Sequence, residues 1–223
     1  MEKINFADFF GEIPQELKPL LEESKNIWDI FKNLNSFLES LVKEQNDTDN
    51  PSYFGKIGDA YLAENVFIGE GTVVEHGAMI KGPTFIGQNC QVRSGAYIRG
   101  GVFTGDNVIL GHATEIKNSI LLEGTNAGHF NYLGDSFLGK EVNLGAGTIL
   151  ANLRFDKQPI VVGDFNTGLK KLGAILGDYS QTGCNTVLNP GTFFKPNTFY
   201  SGMTLKGGIY DKEAIKEIIR ANK

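Results

Sequence analysis

Few residues in this chain offer acid–base chemistry near neutral pH. There are three histidines, His76, His112 and His129, and the last lies in the stretch A-G-H-F-N-Y-L-G, residues 127–134. A neutral imidazole can accept a proton, which makes His129 a candidate general base. Taken alone, a histidine in such a place is ordinarily a surface turn residue. It draws notice because the most regular pattern in the chain changes there. A six-residue spacing of aliphatics calls for one at position 128 and finds Gly128, and the spacing through Leu133 and Leu138 shrinks to five. A corner altered in this way can send side chains outward from a stacked core.

That pattern identifies the elements that position the histidine. Stepping by six from Leu62 reaches Ile68, Val74, Ile80, Ile86, Val92, Ile98, Thr104, Leu110, Ile116 and Leu122, and ten of these eleven residues are Ile, Leu or Val. Four residues after each step stands a second inward candidate, small or β-branched, from Val66, Thr72 and Ala78 through Cys90 to Thr114 and Ile120. The frame returns at Leu138 and Leu144, and again at Leu176, Thr182, Leu188, Phe194 and Tyr200. A period of six is neither the alternation of a strand nor the spacing of a helix. It fits a short strand plus a tight turn, three of which close a triangular coil of about eighteen residues. Roughly seven coils at ~4.8 Å each predict a prism on the order of 33 Å long, stabilised by coil-on-coil burial.

Composition restricts what the prism can do. The 223 residues hold 41% hydrophobic side chains, enough for a core in one or two domains. A formal charge of −5 argues against a nucleic-acid surface, which needs a basic stripe. No run of eighteen apolar residues predicts a membrane span, and the start M-E-K-I-N-F-A-D-F-F does not read as a signal peptide, so a cytoplasmic protein is expected. Two cysteines, Cys90 and Cys184, make no disulfide framework.

The repeat I-G-E-G-T-V and its successors resemble those of the left-handed parallel β-helix acyltransferases, and the hand is implied by that resemblance alone. G-H-F-N-Y-L-G-D-S followed by N-L-G-A-G-T-I-L-A-N is similar to the acetyltransferase domain of bifunctional sugar-1-phosphate nucleotidylyltransferase/N-acetyltransferases. With N-L-R-F-D and K-K-L-G-A-I-L-G-D it looks like their archaeal-type branch; the likeness covers about residues 55 to 207. The resemblance implies transfer of acetyl from acetyl-CoA to the amine of a hexosamine 1-phosphate such as glucosamine 1-phosphate, on the way to UDP-N-acetylhexosamine, in a homotrimer and without a required metal. His129 then matches the general base, Tyr132 a sugar-phosphate contact, and Asn143 and Asn152 contacts that place the amine. Ala146 matches a backbone N–H near the thioester, and Arg99 and Lys117 match the clamp on the phosphate. Cys184 stands near a serine that assists the oxyanion in relatives, and Ser201 near a CoA-contacting backbone position. Leu153 departs from a tyrosine of the bacterial enzymes. Residues 1–54 contain only Gly11 and cannot hold the family's nucleotidylyltransferase half, so a separate nucleotidylyltransferase is a possible partner.

Two other readings compete. One is a non-catalytic trimeric scaffold or sugar-phosphate-binding module that keeps the motif without turnover. The other resembles the γ-class carbonic anhydrases, which bind zinc through three histidines between subunits: His76 and His112 share a place in the frame, but Lys117 stands where the third ligand would be expected.

The flanks are of another kind. Apolar residues from Leu17 to Val42 recur at helical spacing, predicting one or two amphipathic helices in an N-terminal segment of residues 1–50. The β-helix is expected over 51–208 with a loop at 151–172, in which Lys157, Lys170 or Lys171 offers a further phosphate contact. A C-terminal helix is expected over 209–223, capped by Asp211 and turning Ile215, Ile218 and Ile219 to the prism or a partner. Both helical flanks are expected to cover open coil ends.

Overall fold

The computed structural model describes residues 4–46 and 56–221. Its body is a left-handed parallel β-helix. Three sheets, each of eight described parallel strands, form the sides of the prism. Sheet I runs from Lys56–Ile57 through Ile109–His112, Asn126–His129 and Asn143–Leu144 to Phe199–Tyr200. Sheet II runs from Tyr61–Leu62 through Glu115–Lys117 and Tyr132–Gly134 to Thr204–Leu205, and sheet III from Val66–Ile68 to Gly208–Tyr210. Aliphatics at the six-residue step stack along the interior, as in Val74, Val92, Leu110, Ala127 and Leu144. The small second positions are buried beside them, and the threonines there are satisfied across coils: Thr72 Oγ1 donates to the Gly87 carbonyl at 2.7 Å and Thr125 Oγ1 to that of Gly139 at 2.9 Å.

The register corrects the sequence frame at one place. Thr104 pairs with Leu121 and Leu121 with Leu138, so the inward residue is Leu121, and Ile120 and Leu122 face outward. The first short step therefore falls between Ile116 and Leu121 and recurs between Leu133 and Leu138, at the corner from sheet II to sheet III. Position 128 is not a failed aliphatic site, because Ala127 fills the interior place and pairs with Leu110 and Leu144. His129 keeps the frame and lies in register with His112. Asn118 and Asp135 turn the shortened corner with φ of 45° and 49°, values that Asn and Asp tolerate better than most residues.

The N-terminal segment covers a side of the prism and not an open end, against expectation. A second core joins it to the outer face of sheet III, where Phe67, Phe85, Phe103, Ile120, Phe137, Ile175 and Phe193 form a column. After α1 (Lys18–Glu22), α2 (Ile30–Asn46) lays Ile30, Phe31, Leu34, Leu38, Leu41 and Val42 inward. It packs on the strands of the first three coils, while Phe10 stacks on Phe137 at 4.2 Å and Phe9 meets Phe193 edge-on at 5.9 Å. The residues after Asn46, including the expected boundary at 50/51, lie outside the described set up to Lys56. The C-terminal α3 (Lys212–Ala221) does close the last coil. Asp211 Oδ1 accepts from the N–H groups of Glu213 and Ala214, and Ile215 and Ile218 meet the interior core while Ile219 stays exposed.

The segment following Asn152 leaves the prism, forms an antiparallel hairpin of Val161–Val162 with Phe165–Asn166, and folds back onto the second core through Ile160, Val162 and Leu172. A turn ahead of the hairpin presents Phe155 wholly to solvent.

Candidate active site

Two margins of sheet II carry the candidate residues. At the margin toward sheet I, His129 ends its strand with an exposed side chain. Gly128 and Gly111 precede the paired histidines; a Cβ on Gly111 would collide with the backbone of Gly128, so the coils approach here as only glycine allows. Along the same edge the following coils present small residues, Ala146, then Gly183 and Cys184, then Ser201 and Gly202. Gly147 N–H donates to the His129 carbonyl at 3.0 Å, whereas the Ala146 N–H has no acceptor among the described residues. Cys184 and Ser201 are exposed on this edge.

At the opposite margin, roughly one three-residue strand or ~10 Å away, a polar cluster gathers on Asp135. Its carboxylate accepts from Lys117 Nζ at 2.7 Å, from Asn118 Nδ2 at 2.8 Å and from Asn152 Nδ2. The Lys117 and Asp135 side chains are 18% and 8% exposed, so this ion pair is largely withdrawn from water. Tyr132 lies between the two margins, with its hydroxyl and the Asn152 amide both beside Gly134. Burial pushes its phenol pKa up, and the negative charges of Asp135 and Glu115 push in the same direction, so the hydroxyl remains a proton donor at neutral pH. Arg99 sits on the same face and donates to Glu115 at 2.7 Å, which raises its own pKa. Both predicted phosphate cations thus carry a carboxylate partner, and the four charges sum to zero.

Asn143 lies in register with Asn126 on sheet I, at the start of the strand that His129 ends. Asn126 Oδ1 is buried with no hydrogen-bond partner among the described residues. The sequence reading missed Asn126, Glu115, Asn118 and Asp135. Asp135 stands inside the quoted L-G-D, yet nothing in one sequence shows that its carboxylate reaches residues 17 positions away on both sides. The loop lysines Lys157, Lys170 and Lys171 are exposed and make no hydrogen bond to the cluster.

His112 Nδ1 lies 2.7 Å from the Ser94 carbonyl and its ring meets Phe130 edge-on at 5.2 Å, while His76 lies 3.7 Å from Asp59 in full solvent. Among the described residues no group of three or more His, Cys, Asp or Glu side chains is placed to hold a metal ion. Of two clefts, of about 420 and 620 Å³, one lies beside Phe67, Phe85 and Glu123, and the other is lined by Ala151 and Leu153, the neighbours of Asn152, with Phe155 and Lys206. No helix of the described residues is long and apolar enough to cross a membrane.

Comparison with known proteins agrees with this architecture. The model of the GMPPB C-terminal domain family matches residues 80–204, more than half of the chain. The chain is similar to the bifunctional protein GlmU of Methanococcus maripaludis, 37% identical over 187 residues, covering 82% of this chain and 44% of that protein. It is also similar to a bifunctional sugar-1-phosphate nucleotidylyltransferase/acetyltransferase of Sulfurisphaera tokodaii, 41% identical over 86 residues, which are 37% of this chain and 21% of that one. With the putative uncharacterized acetyltransferase YaiX of Escherichia coli it shares 38% identity over 177 residues, 76% of this chain and 74% of that one. The chain therefore spans about half the length of the GlmU proteins it matches. On the matched family model and on the coverage of YaiX, this chain belongs to the GMPPB C-terminal domain family of hexapeptide-repeat β-helix proteins, whose sequence relatives include GlmU-type proteins and acetyltransferases.

Proposed function

We propose that the chain is an acetyl-CoA-dependent N-acetyltransferase acting on an amino-sugar 1-phosphate, glucosamine 1-phosphate being the first candidate, and that it works as a homotrimer. The observation that carries the reading is the layout of sheet II. A sugar phosphate laid along strand Tyr132–Gly134 spans from a potential base at one margin to a cluster of Lys117, Asn152 and Tyr132 donors at the other. His129 takes the proton as the sugar amine attacks the thioester carbonyl, and the Ala146 N–H stabilises the oxyanion that develops there. The amide forms, the C–S bond breaks, and the thiolate leaves as CoA. The acyl donor fits the small-residue edge past Ala146 and Cys184 toward Ser201.

His129 stands on an open edge, and acyl transfer needs water excluded. Sheet III is covered by the chain's own N-terminal segment, which leaves sheets I and II, the two that meet at His129, to face neighbouring copies. A neighbour then supplies the missing wall.

One observation favours the competing non-catalytic module: Arg99 and Lys117 are already neutralised by Glu115 and Asp135. Thiol release from acetyl-CoA, measured against a panel of amino-sugar phosphates, decides between them. Saturable release is expected, and His129→Ala is expected to lower kcat by about 10²–10⁴-fold. Release that survives that substitution unchanged removes His129 as base, and no release with any amino sugar removes the enzyme.

A further inference from the structure

Asp135 is where the two shortened coils converge. The corner Gly134–Asp135 lies one coil above Lys117–Asn118, and both lack the residue that the eighteen-residue coils carry. The shortening draws the backbone in, and the Asp135 carboxylate is left 8% exposed between the coil before it and the coil after it. From below it receives Lys117 Nζ and Asn118 Nδ2, and from above Asn152 Nδ2. Asn118 in turn accepts from Asn35 Nδ2 of α2 at 3.1 Å. Gly134 keeps the upper contact open, because a Cβ there would stand 2.6 Å from Asn152 Nδ2 and 2.8 Å from Tyr132 Oη.

The carboxylate is thus the common acceptor for two side chains that the proposed function assigns to the sugar phosphate. The bonds tie a lysine and an asparagine on different coils to one point, which removes freedom that each would otherwise keep. A largely buried carboxylate with three donors holds both, and each keeps further N–H groups that Asp135 does not use. We propose that Asp135 is the positioning residue of the site, setting Lys117 and Asn152 for the acceptor without touching it.

This inference rests on the acetyltransferase reading. The test is steady-state kinetics of Asp135→Asn, Asn152→Ala and the double variant, with glucosamine 1-phosphate and acetyl-CoA varied separately. The Asp135→Asn change keeps the size of the side chain, removes the charge and sets a donor against donors. The expected result is a loss of about 10²-fold in kcat/KM for the sugar phosphate, with KM for acetyl-CoA unmoved. The double variant is expected to lose little more than the worse single one, because both remove the same arrangement.

Wild-type kinetics in D135N overturns the inference, and so does an additive loss that lowers the active fraction and leaves both KM values alone. If D135N does not fold, Gly134→Ala crowds Asn152 and Tyr132 with the charge intact. The same acceptor-selective loss is expected there, and a wild-type acceptor KM overturns the inference. A wild-type chain that releases no thiol with any amino sugar overturns the acetyltransferase reading first, and the positioning role with it; active wild type beside active D135N overturns the positioning role alone.

Discussion

A lysine that is 18% exposed and held at 2.7 Å by a carboxylate is a different phosphate ligand from a lysine free in solvent. Its charge is compensated, and what it offers an anion is orientation more than net attraction. Arg99 is more open and its partner Glu115 sits on the surface, so it is the cation better placed to turn toward a phosphate. Arg99→Ala is expected to raise KM for a phosphorylated acceptor about tenfold, with no change for the unphosphorylated amino sugar; equal effects on both would show that Arg99 serves something other than the phosphate. The proposed participants are only partly legible. The family resemblance of G-H-F-N-Y-L-G-D-S and N-L-G-A-G-T-I-L-A-N points to His129, Tyr132, Asn143 and Asn152. It does not reach Asp135 and Glu115, because their roles depend on which side chain lies above which, and a one-residue slip in a corner decides that.

That slip is visible at the scale of elements. The run Ile120-Leu121-Leu122 contains three aliphatics in a row, and periodicity cannot say which one turns inward. Pairing with Thr104 and Leu138 chooses Leu121, and the second core takes its neighbours. The N-terminal helices are legible as amphipathic but not in their placement, because the Phe67–Phe85–Phe103 stack they cover looks in sequence like ordinary strand residues. The entry into α2 depends on one carboxylate. Asp29 accepts from the Asn26 N–H at 2.9 Å and from Lys32 at 2.6 Å. Burial pushes its pKa up, but the hydrogen bonds and charge of Lys32 and Asn26 outweigh it and hold the pKa below 3.8. A depressed folded pKa means stability present above the unfolded value and lost as the pH falls through the folded one. Unfolding midpoints are therefore expected to drop below about pH 4 less steeply in Asp29→Ala than in wild type. At pH 7 that variant is expected to be less stable by about 1 kcal/mol. Parallel acid profiles would show that Asp29 carries none of this dependence.

At the scale of the whole molecule the parallel β-helix is the most legible feature, since nine of the ten six-residue steps from Leu62 to Ile116 carry Ile, Leu or Val. Less legible is that the three sides are unequal. Sheet III is covered from within the chain, by residues 4–46 and by the hairpin that follows Asn152, while sheets I and II stay open around His129. The insertion and the helices meet there, Trp28 lying 6.1 Å from Phe165 and 6.3 Å from Phe193.

A solenoid with only neighbour-to-neighbour contacts frays from its tips. Here the segment that begins against Phe193 and ends against Phe67 acts as a longitudinal brace across the stacked coils. Amide hydrogen exchange is therefore expected to show near-uniform protection from the first coils to the last, with a single cooperative opening. Trimming the brace should convert that plateau into a gradient that falls toward both tips, and a gradient already present in the intact chain would mean that the brace carries no mechanical load.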